Sequence, residues 1–199
     1  MAAQNRVEHF QRIVMPHLGA AYNLARWLCR NDHDAEDIVQ DACLRAFRFF
    51  DGFHGDNARA WLLSIVRNTT WTWMQENRRH ELSVPFDDEL HNQQGCTSVT
   101  MLNHPDGNPE TILAREDDRG LVNQALEALP IEFREVLVLR ELEDLSYREI
   151  SEVARIPMGT VMSRLARGRK LLGEELQRMM KESRGGLQRN QGPAARPRG

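Results

Sequence analysis

Hydrophobic positions along this chain recur at helical spacing, and no stretch alternates convincingly enough to predict a strand. The first periodic segment predicts a helix from about His17 to Cys29, broken by Asn31-Asp32-His33. A second helix, with Asp34 as its cap, is predicted to run to about Phe50. Ile38, Ala42 and Phe49 lie along one side of it, with Val39, Cys43, Ala46 and Phe50 beside them. Asp51-Gly52-Phe53-His54-Gly55-Asp56-Asn57 is turn chemistry. A third helix follows from about Ala58 to Asn77 with Trp61, Leu62, Ile65 and Val66 as its apolar stripe. Trp71 and Trp73 cannot share a face of it, and Trp73 is the one assigned to the core. Periodicity then fails over residues 80–117, where Pro85, Gly95, Pro105, Gly107 and Pro109 sit among Asn, Gln and acids. Such a segment is too polar to fold alone. Helical spacing resumes near Asp118 with Val122, Ala125, Leu126 and Leu129, then Phe133, Val136, Leu137 and Leu142, and two more helices extend to about Lys181. The pattern implies an all-α chain of two small helical domains, residues 1–80 and 118–183. A flexible acidic linker, 81–117, joins them, and a disordered tail rich in Gly, Pro and Arg, 184–199, follows.

The sharpest local signal lies in the second domain. Ser146 and Glu149 have capping-box spacing, and Leu145 and Ile150 stand where a hydrophobic staple would. The short helix they start ends near Val153-Ala154, Arg155-Ile156 makes a turn, and Pro157 suits the first position of the next helix. There Val161, Leu165, Gly168 and Leu172 face inward, while Thr160, Ser163, Arg164, Arg167 and Lys170 lie on the other side. Arg155–Lys170 holds five basic residues and no acid, whereas Glu127–Glu152 holds eight acids against three Arg. A cationic outer face on the second helix of a close pair suits a DNA major groove, Arg reading guanine edges while Ser, Thr and Lys hold phosphate. A solvated surface helix is the other reading of the same spacing.

Charge sharpens this picture. The formal net charge is −3, but it is unevenly spread, with an acidic middle and a basic tail, and distribution matters more than total for a polyanion partner. Cys29, Cys43 and Cys96 form no CxxC pair, and the first two read as buried thiols in a reducing compartment. No signal sequence and no apolar run of membrane-spanning length is evident. The expected location is the cytoplasm, without membrane insertion.

Two sets of motifs, in order, carry a family resemblance. Leu129-Pro130, Arg134, Leu139-Arg140-Glu141, Leu145-Ser146-Tyr147, Glu149-Ile150 and Pro157-x-Gly159-Thr160-Val161-x-Ser163-Arg164-Leu165 resemble region four of the extracytoplasmic-function (ECF) sigma factors of bacterial RNA polymerase. Asp34-Ala35-Glu36-Asp37-x-Val39-Gln40-Asp41, Arg45-Ala46-Phe47, Phe53-x-Gly55-Asp56, Ala60-Trp61-Leu62, Ile65 and Arg67-Asn68 resemble their region two. Trp71, Trp73 and Met162 depart from the family pattern, Met162 standing where relatives usually carry Lys or Arg.

The resemblance implies a protein that joins the polymerase core, through the clamp of its largest subunit and its flap, and directs it to promoter DNA. Asp34, Glu36, Asp37, Gln40, Asp41 and Arg45 would bind the core. Phe53, His54, Gly55, Asp56, Asn57, Arg59, Arg67 and Asn68, with Arg78-Arg79, would bind and melt the minus-ten element, the loop capturing a flipped base. Thr160, Ser163, Arg164, Arg167 and Lys170 would bind the minus-thirty-five element. The linker would thread toward the RNA exit path, as an electrostatic mimic of RNA or as a plain spacer. An anti-sigma protein is a further implied partner. No catalytic residue, metal or cofactor is expected. Two competing readings account for less of the sequence. A conventional helix-turn-helix regulator would need a sensor domain that the all-helical front half does not resemble. A metal-dependent helical hydrolase built on Asp32, His33, Asp34, Glu36, Asp37 and Asp41 would need histidine ligands at a spacing that His9, His17, His54 and His80 do not offer.

Overall fold

The computed structural model describes the backbone of residues 2–55, 57–81 and 109–189. These are helices and short turns, with no strand among the described residues, so the all-α expectation holds for them. Asp56, residues 82–108 of the expected linker with Cys96, and residues 190–199 of the expected tail lie outside the described residues.

The first module begins earlier than the periodicity suggested. Helix α1 (Ala2–Val14) buries Phe10 and Val14, and Phe10 meets Phe47 and Phe50 edge-on. A tight turn, Met15–His17, leads into α2 (Leu18–Cys29), which ends where Arg30 takes a left-handed conformation, φ 66°. The next cap is Asn31 rather than the expected Asp34. Its side-chain oxygen accepts from the backbone N–H groups of His33 at 2.9 Å and Asp34 at 3.2 Å, which starts α3 (Asp32–Phe49) three residues sooner. Asp34 falls instead in the first turn, where a negative charge suits the helix dipole.

Helix α4 (Ala58–Glu81) completes the bundle with α2 and α3 around Leu24, Leu28, Ile38, Leu62, Leu63 and Val66. Two expectations need correction here. Phe49, assigned to the buried stripe of α3, is 68% exposed. The last turn tightens into a 3-10 turn, Phe50–Gly52, which puts Phe50 under Phe10 and leaves Phe49 outside. Cys29 and Cys43 are half-buried rather than buried; partial burial still pushes the Cys29 thiol up to about 11, so it stays protonated at neutral pH. Trp73 packs half-buried against the core, as assigned.

The second module starts inside the expected linker. Helix α5 (Pro109–Ala128) has proline as its first residue, where a missing N–H costs nothing. After Pro130 comes α6 (Ile131–Leu137), which runs into a single π turn, Val138–Leu142. Helix α7 (Tyr147–Ala154) and helix α8 (Met158–Arg189) follow. Helix α8 continues past Lys181 into what was expected to be tail, supported by the pairing of Arg178 with Glu175 and Glu182. The core is Ala125, Leu126, Leu129, Val136, Leu137, Ile150, Val153, Val161 and Leu165.

Helices α6 and α8 approach closely at Gly168. A Cβ there would lie 3.1 Å from Leu137 Cδ1, 3.3 Å from its Cγ and 3.4 Å from Phe133 Cβ. Gly168→Val therefore overpacks this seam and is expected to cost about 1–3 kcal/mol, read by denaturant unfolding of the full chain.

The capping box forms as the sequence predicted. Glu149 N–H donates to Ser146 Oγ, and Ser146 N–H and O–H donate to Glu149 Oε2 at 2.7 and 2.6 Å. These bonds hold the Glu149 carboxyl below the usual carboxylate range. A depressed folded-state pKa stabilises the fold above the ordinary carboxylate pKa, and this contribution fades as pH falls through the depressed value. Ser146→Ala is expected to destabilise by about 1 kcal/mol at neutral pH and by visibly less in acid, in paired thermal melts. Pro157, expected as the first residue of α8, sits one position earlier: its carbonyl accepts from Thr160 N–H at 2.8 Å and Val161 N–H at 3.1 Å, which is the role of a cap.

The two modules are packed together, α4 against α7 and α2 against α6 and the π turn.

Candidate nucleic-acid interface

Three surfaces carry the residues singled out in the sequence. On α3, Glu36, Asp37 and Gln40 are exposed, Asp34, Asp41 and Arg45 are half-buried, and Asp41 and Arg45 form the expected ion pair at 2.8 Å. The polar face also contains an apolar residue that the sequence reading passed over. Leu44 follows Asp37, Gln40 and Asp41 at helical intervals and is 61% exposed. Its signal was available: it falls out of register with the buried series Ala35, Ile38, Ala42 and Ala46. A large exposed apolar side chain ringed by charge is the form of a docking anchor.

The second surface is the loop after α3 together with one side of α4. Phe53, the aromatic ring of the expected capture loop, is half-buried against Trp61, with ring centroids 4.7 Å apart, and so props the loop. His54 and Gly55 are exposed at its tip, between two open clefts. One cleft, of about 690 Å³, is walled by Arg6, His9 and Phe50; the other, of about 500 Å³, by Asn57, Trp61, Ser64 and, from the second module, Glu152. Helix α1, absent from the sequence reading, thus supplies one wall. Asn57 caps α4, accepting from Ala60 N–H at 2.9 Å.

Arg59 and Arg67 of α4 are not free. Arg67 Nε donates to Glu135 Oε1 at 2.7 Å, and the guanidinium of Arg67 lies over the ring of Trp71 at 5.2 Å. Trp71 Nε1–H also donates to Glu135 Oε1, at 3.3 Å. Arg59 pairs with Glu143, and the amide of Asn57 donates to Glu149. Asn68 is half-buried; the side chains of Arg78 and Arg79 lie outside the described residues. These long-range pairs were beyond the sequence, although the excess of acids over Glu127–Glu152 was their trace.

The third surface is α8. Ser163, Arg167 and Lys170 are exposed, Thr160 and Arg164 half-buried, and Val161 and Leu165 buried on the opposite side. Arg164 and Arg167 make no ion pair among the described residues; Lys170 makes a loose one with Glu174 at 3.8 Å. Arg169 is tied back to Glu141 through two hydrogen bonds, 3.1 and 2.8 Å. Met158 and Met162 are exposed on the flank.

Comparison with known proteins matches both modules. The sigma-70 region 2 family model covers residues 13–80 and the sigma-70 region 4 model residues 119–172. The ECF RNA polymerase sigma-E factor of Escherichia coli is 33% identical over 150 residues, which is 74% of this chain and 76% of that protein. The chain belongs to the ECF sigma factors of RNA polymerase. The ECF RNA polymerase sigma factor SigE of Mycolicibacterium smegmatis is 30% identical over 180 residues, 90% of this chain and 66% of that protein. Among solved structures, the sigma factor RpoE in complex with the anti-sigma factor NepR from Bartonella quintana aligns with TM-score 0.67 and 26% identity over 85% of this chain and 98% of that one. CnrH in complex with the cytosolic domain of CnrY aligns with TM-score 0.58 and 26% identity over 88% and 94%. The two modules are therefore sigma regions two and four, and the chain is a sigma factor that directs promoter transcription initiation by RNA polymerase. Of the acidic residues weighed for a hydrolase site, Asp32 binds Arg26 and Tyr22, and Asp41 pairs with Arg45. Among the described residues no group of three or more His, Cys, Asp or Glu is placed to hold a metal, and no helix is long and apolar enough to cross a membrane.

Proposed function

We propose that region two grips the polymerase core through Asp34, Glu36, Asp37, Gln40, Asp41, Arg45 and the exposed Leu44. In this reading it captures and melts the minus-ten element with the 53–57 loop and Arg59, Arg67 and Asn68. Region four docks α8 in the major groove of the minus-thirty-five element through Thr160, Ser163, Arg164, Arg167 and Lys170. The observation that carries this assignment is the outer face of α8, where two Arg without ion-pair partners among the described residues flank exposed polar side chains. Binding, not turnover, is the activity, so no residue is assigned a catalytic role, and the site of action is the cytoplasm, with the polymerase. The aligned sigma factor RpoE was solved with the anti-sigma factor NepR, and the aligned CnrH with the cytosolic domain of CnrY; alignment over most of this chain supports an anti-sigma partner here.

In vitro transcription on a promoter library tests the assignment. Specific initiation is expected only when core polymerase and this protein are both present. Tight sequence-specific duplex binding by the protein alone would instead favour a conventional regulator. Leu44→Ala is expected to weaken core binding by about 1–2 kcal/mol, measured by titration of labelled protein with core.

A further inference from the structure

Beside its charged residues, the outer side of α8 carries an apolar strip. Met158 and Met162, one turn apart, are 49% and 47% exposed, and Ala166, a further turn on, is exposed beside them. Apolar side chains scattered singly on a surface need no explanation. This pair, however, lies at the N-terminal end of α8, the end whose side chains reach base edges in a helix-turn-helix. From Arg155 to Lys170 there are five basic residues and no acid, so the surroundings of the strip suit a polyanion. We propose that Met162, backed by Met158, reads the C5-methyl group of a thymine in the minus-thirty-five element. This inference rests on the docking of α8 in the major groove of that element.

The chemistry of the side chain selects the occupant. A thioether is a weak acceptor and donates nothing, so Met162 can neither hold a phosphate nor pair with the polar groups of a base edge. Among the groups that base pairs display in the major groove, the thymine methyl is the apolar one. Duplex DNA is thus a polyanion that also offers a small apolar target within its groove. An unbranched, polarizable methionine adapts its three side-chain torsions to such a target, and Met158 one turn back covers the side that would otherwise face water.

Position on the helix agrees with this choice. Buried Val161 and Leu165 fix the rotation of α8, so that Ser163 points away from the module. Met162 is turned about 100° from Ser163 toward one flank, and Arg164 about 100° toward the other. The C5-methyl is the outermost group on the major-groove edge of its base pair, beside the backbone of its own strand. A side chain on the flank therefore meets it where a central one passes it by. Ala166 is short and leaves the approach of Met162 open. Arg169, two turns along the same flank, is held back by two hydrogen bonds to Glu141 and does not compete for the place. The helix then offers a cation to one border of the groove and an apolar reader to the other, which also fixes which strand lies on which side.

The test uses holoenzyme assembled with the full chain and a promoter it prefers. Each thymine of the minus-thirty-five element is replaced in turn by deoxyuridine, which removes the methyl and keeps the base pairing and the O4 acceptor. At one position wild-type holoenzyme is expected to bind the deoxyuridine duplex about fourfold less tightly. Met162→Ala, a change at an exposed site, is expected to bind both duplexes equally, at the weaker level. Met162→Lys should also ignore the methyl while its salt dependence steepens by about one phosphate contact. Met180→Ala, which removes an equally exposed methionine far along α8, should keep the full fourfold difference. Equal deoxyuridine sensitivity in wild type and Met162→Ala, or no sensitive thymine at all, would overturn the methyl contact. So would loss of core assembly, rather than of promoter affinity, in Met162→Ala, which would give the strip to a protein partner. Arg164→Ala with Arg167→Ala separates this contact from the docking beneath it. If that double variant depends on the minus-thirty-five sequence as wild type does, the docking of α8 fails; if the dependence is lost while the deoxyuridine effect is indifferent to Met162, only the methyl contact fails.

Discussion

Replacing Asp37 and Asp41 together with Arg is expected to abolish assembly with core polymerase while leaving the helical content and unfolding midpoint close to wild type. Neither residue supports the fold. Asp37 is exposed, and Asp41 is half-buried and, among the described residues, ion-paired with Arg45 one turn along, a pairing worth about 0.3–0.5 kcal/mol. The bundle is held from the other side of α3 by Ala35, Ile38, Ala42 and Ala46. The double change moves the local charge by four units, on a face whose only large apolar residue in line is Leu44. A basic partner surface that met two carboxylates would then meet two guanidinium groups, and like-charge juxtaposition costs several kcal/mol at an interface. Size-exclusion co-elution and competition against a labelled sigma factor read the loss, and circular dichroism shows that the fold survives. Retained holoenzyme assembly by a folded variant would remove α3 from the docking surface.

This face and the α8 face could be read in the sequence because both rest on local rules. Helical periodicity separates Val161 and Leu165 from Ser163 and Arg167 without reference to anything distant, and the Ser146–Glu149 box is complete within four residues. Local chemistry failed where two signals competed. Asn31 and Asp34 are both good caps, and only the left-handed Arg30 fixes which is used. Phe49 has the right helical angle for burial, but α3 changes to a 3-10 turn before a neighbour covers it. The paired cations of α4 were out of reach for a different reason. Arg67 meets Glu135 across 68 residues of sequence and Arg59 meets Glu143 across 84. No spacing rule extends that far, so composition announced an acid-rich stretch without saying which acids turn inward. The same holds for Trp71, whose partners lie on two helices of which one belongs to the other module.

Arg164→Ala and Arg167→Ala, tested separately in holoenzyme against promoters changed one base pair at a time, are expected to behave differently from each other. Arg167 is exposed on the outward side of α8, whereas Arg164 is half-buried on its flank, nearer the core direction set by Val161 and Leu165. A side chain that projects straight into a groove can reach base edges with a bidentate pair; one held at the flank meets the backbone that borders the groove. Loss of Arg167 should therefore cost about 1–3 kcal/mol on promoters with the preferred base and little on promoters already changed there. Loss of Arg164 should weaken all promoters alike and reduce the salt dependence of binding by about one phosphate contact. Lys170, exposed but loosely paired with Glu174 at 3.8 Å, should resemble Arg164 with a smaller loss, because its ammonium is a point charge without a fork to match a base edge. Since Met162 contributes no charge on the flank beside these residues, the few cations present carry a larger share of the grip, and no neighbour compensates for their removal. Transcription rates across the promoter set give both profiles at once. Base-specific loss for Arg164 and uniform loss for Arg167 would mean that α8 lies rotated in the groove by roughly the angle that separates the two residues on the helix, close to 60°.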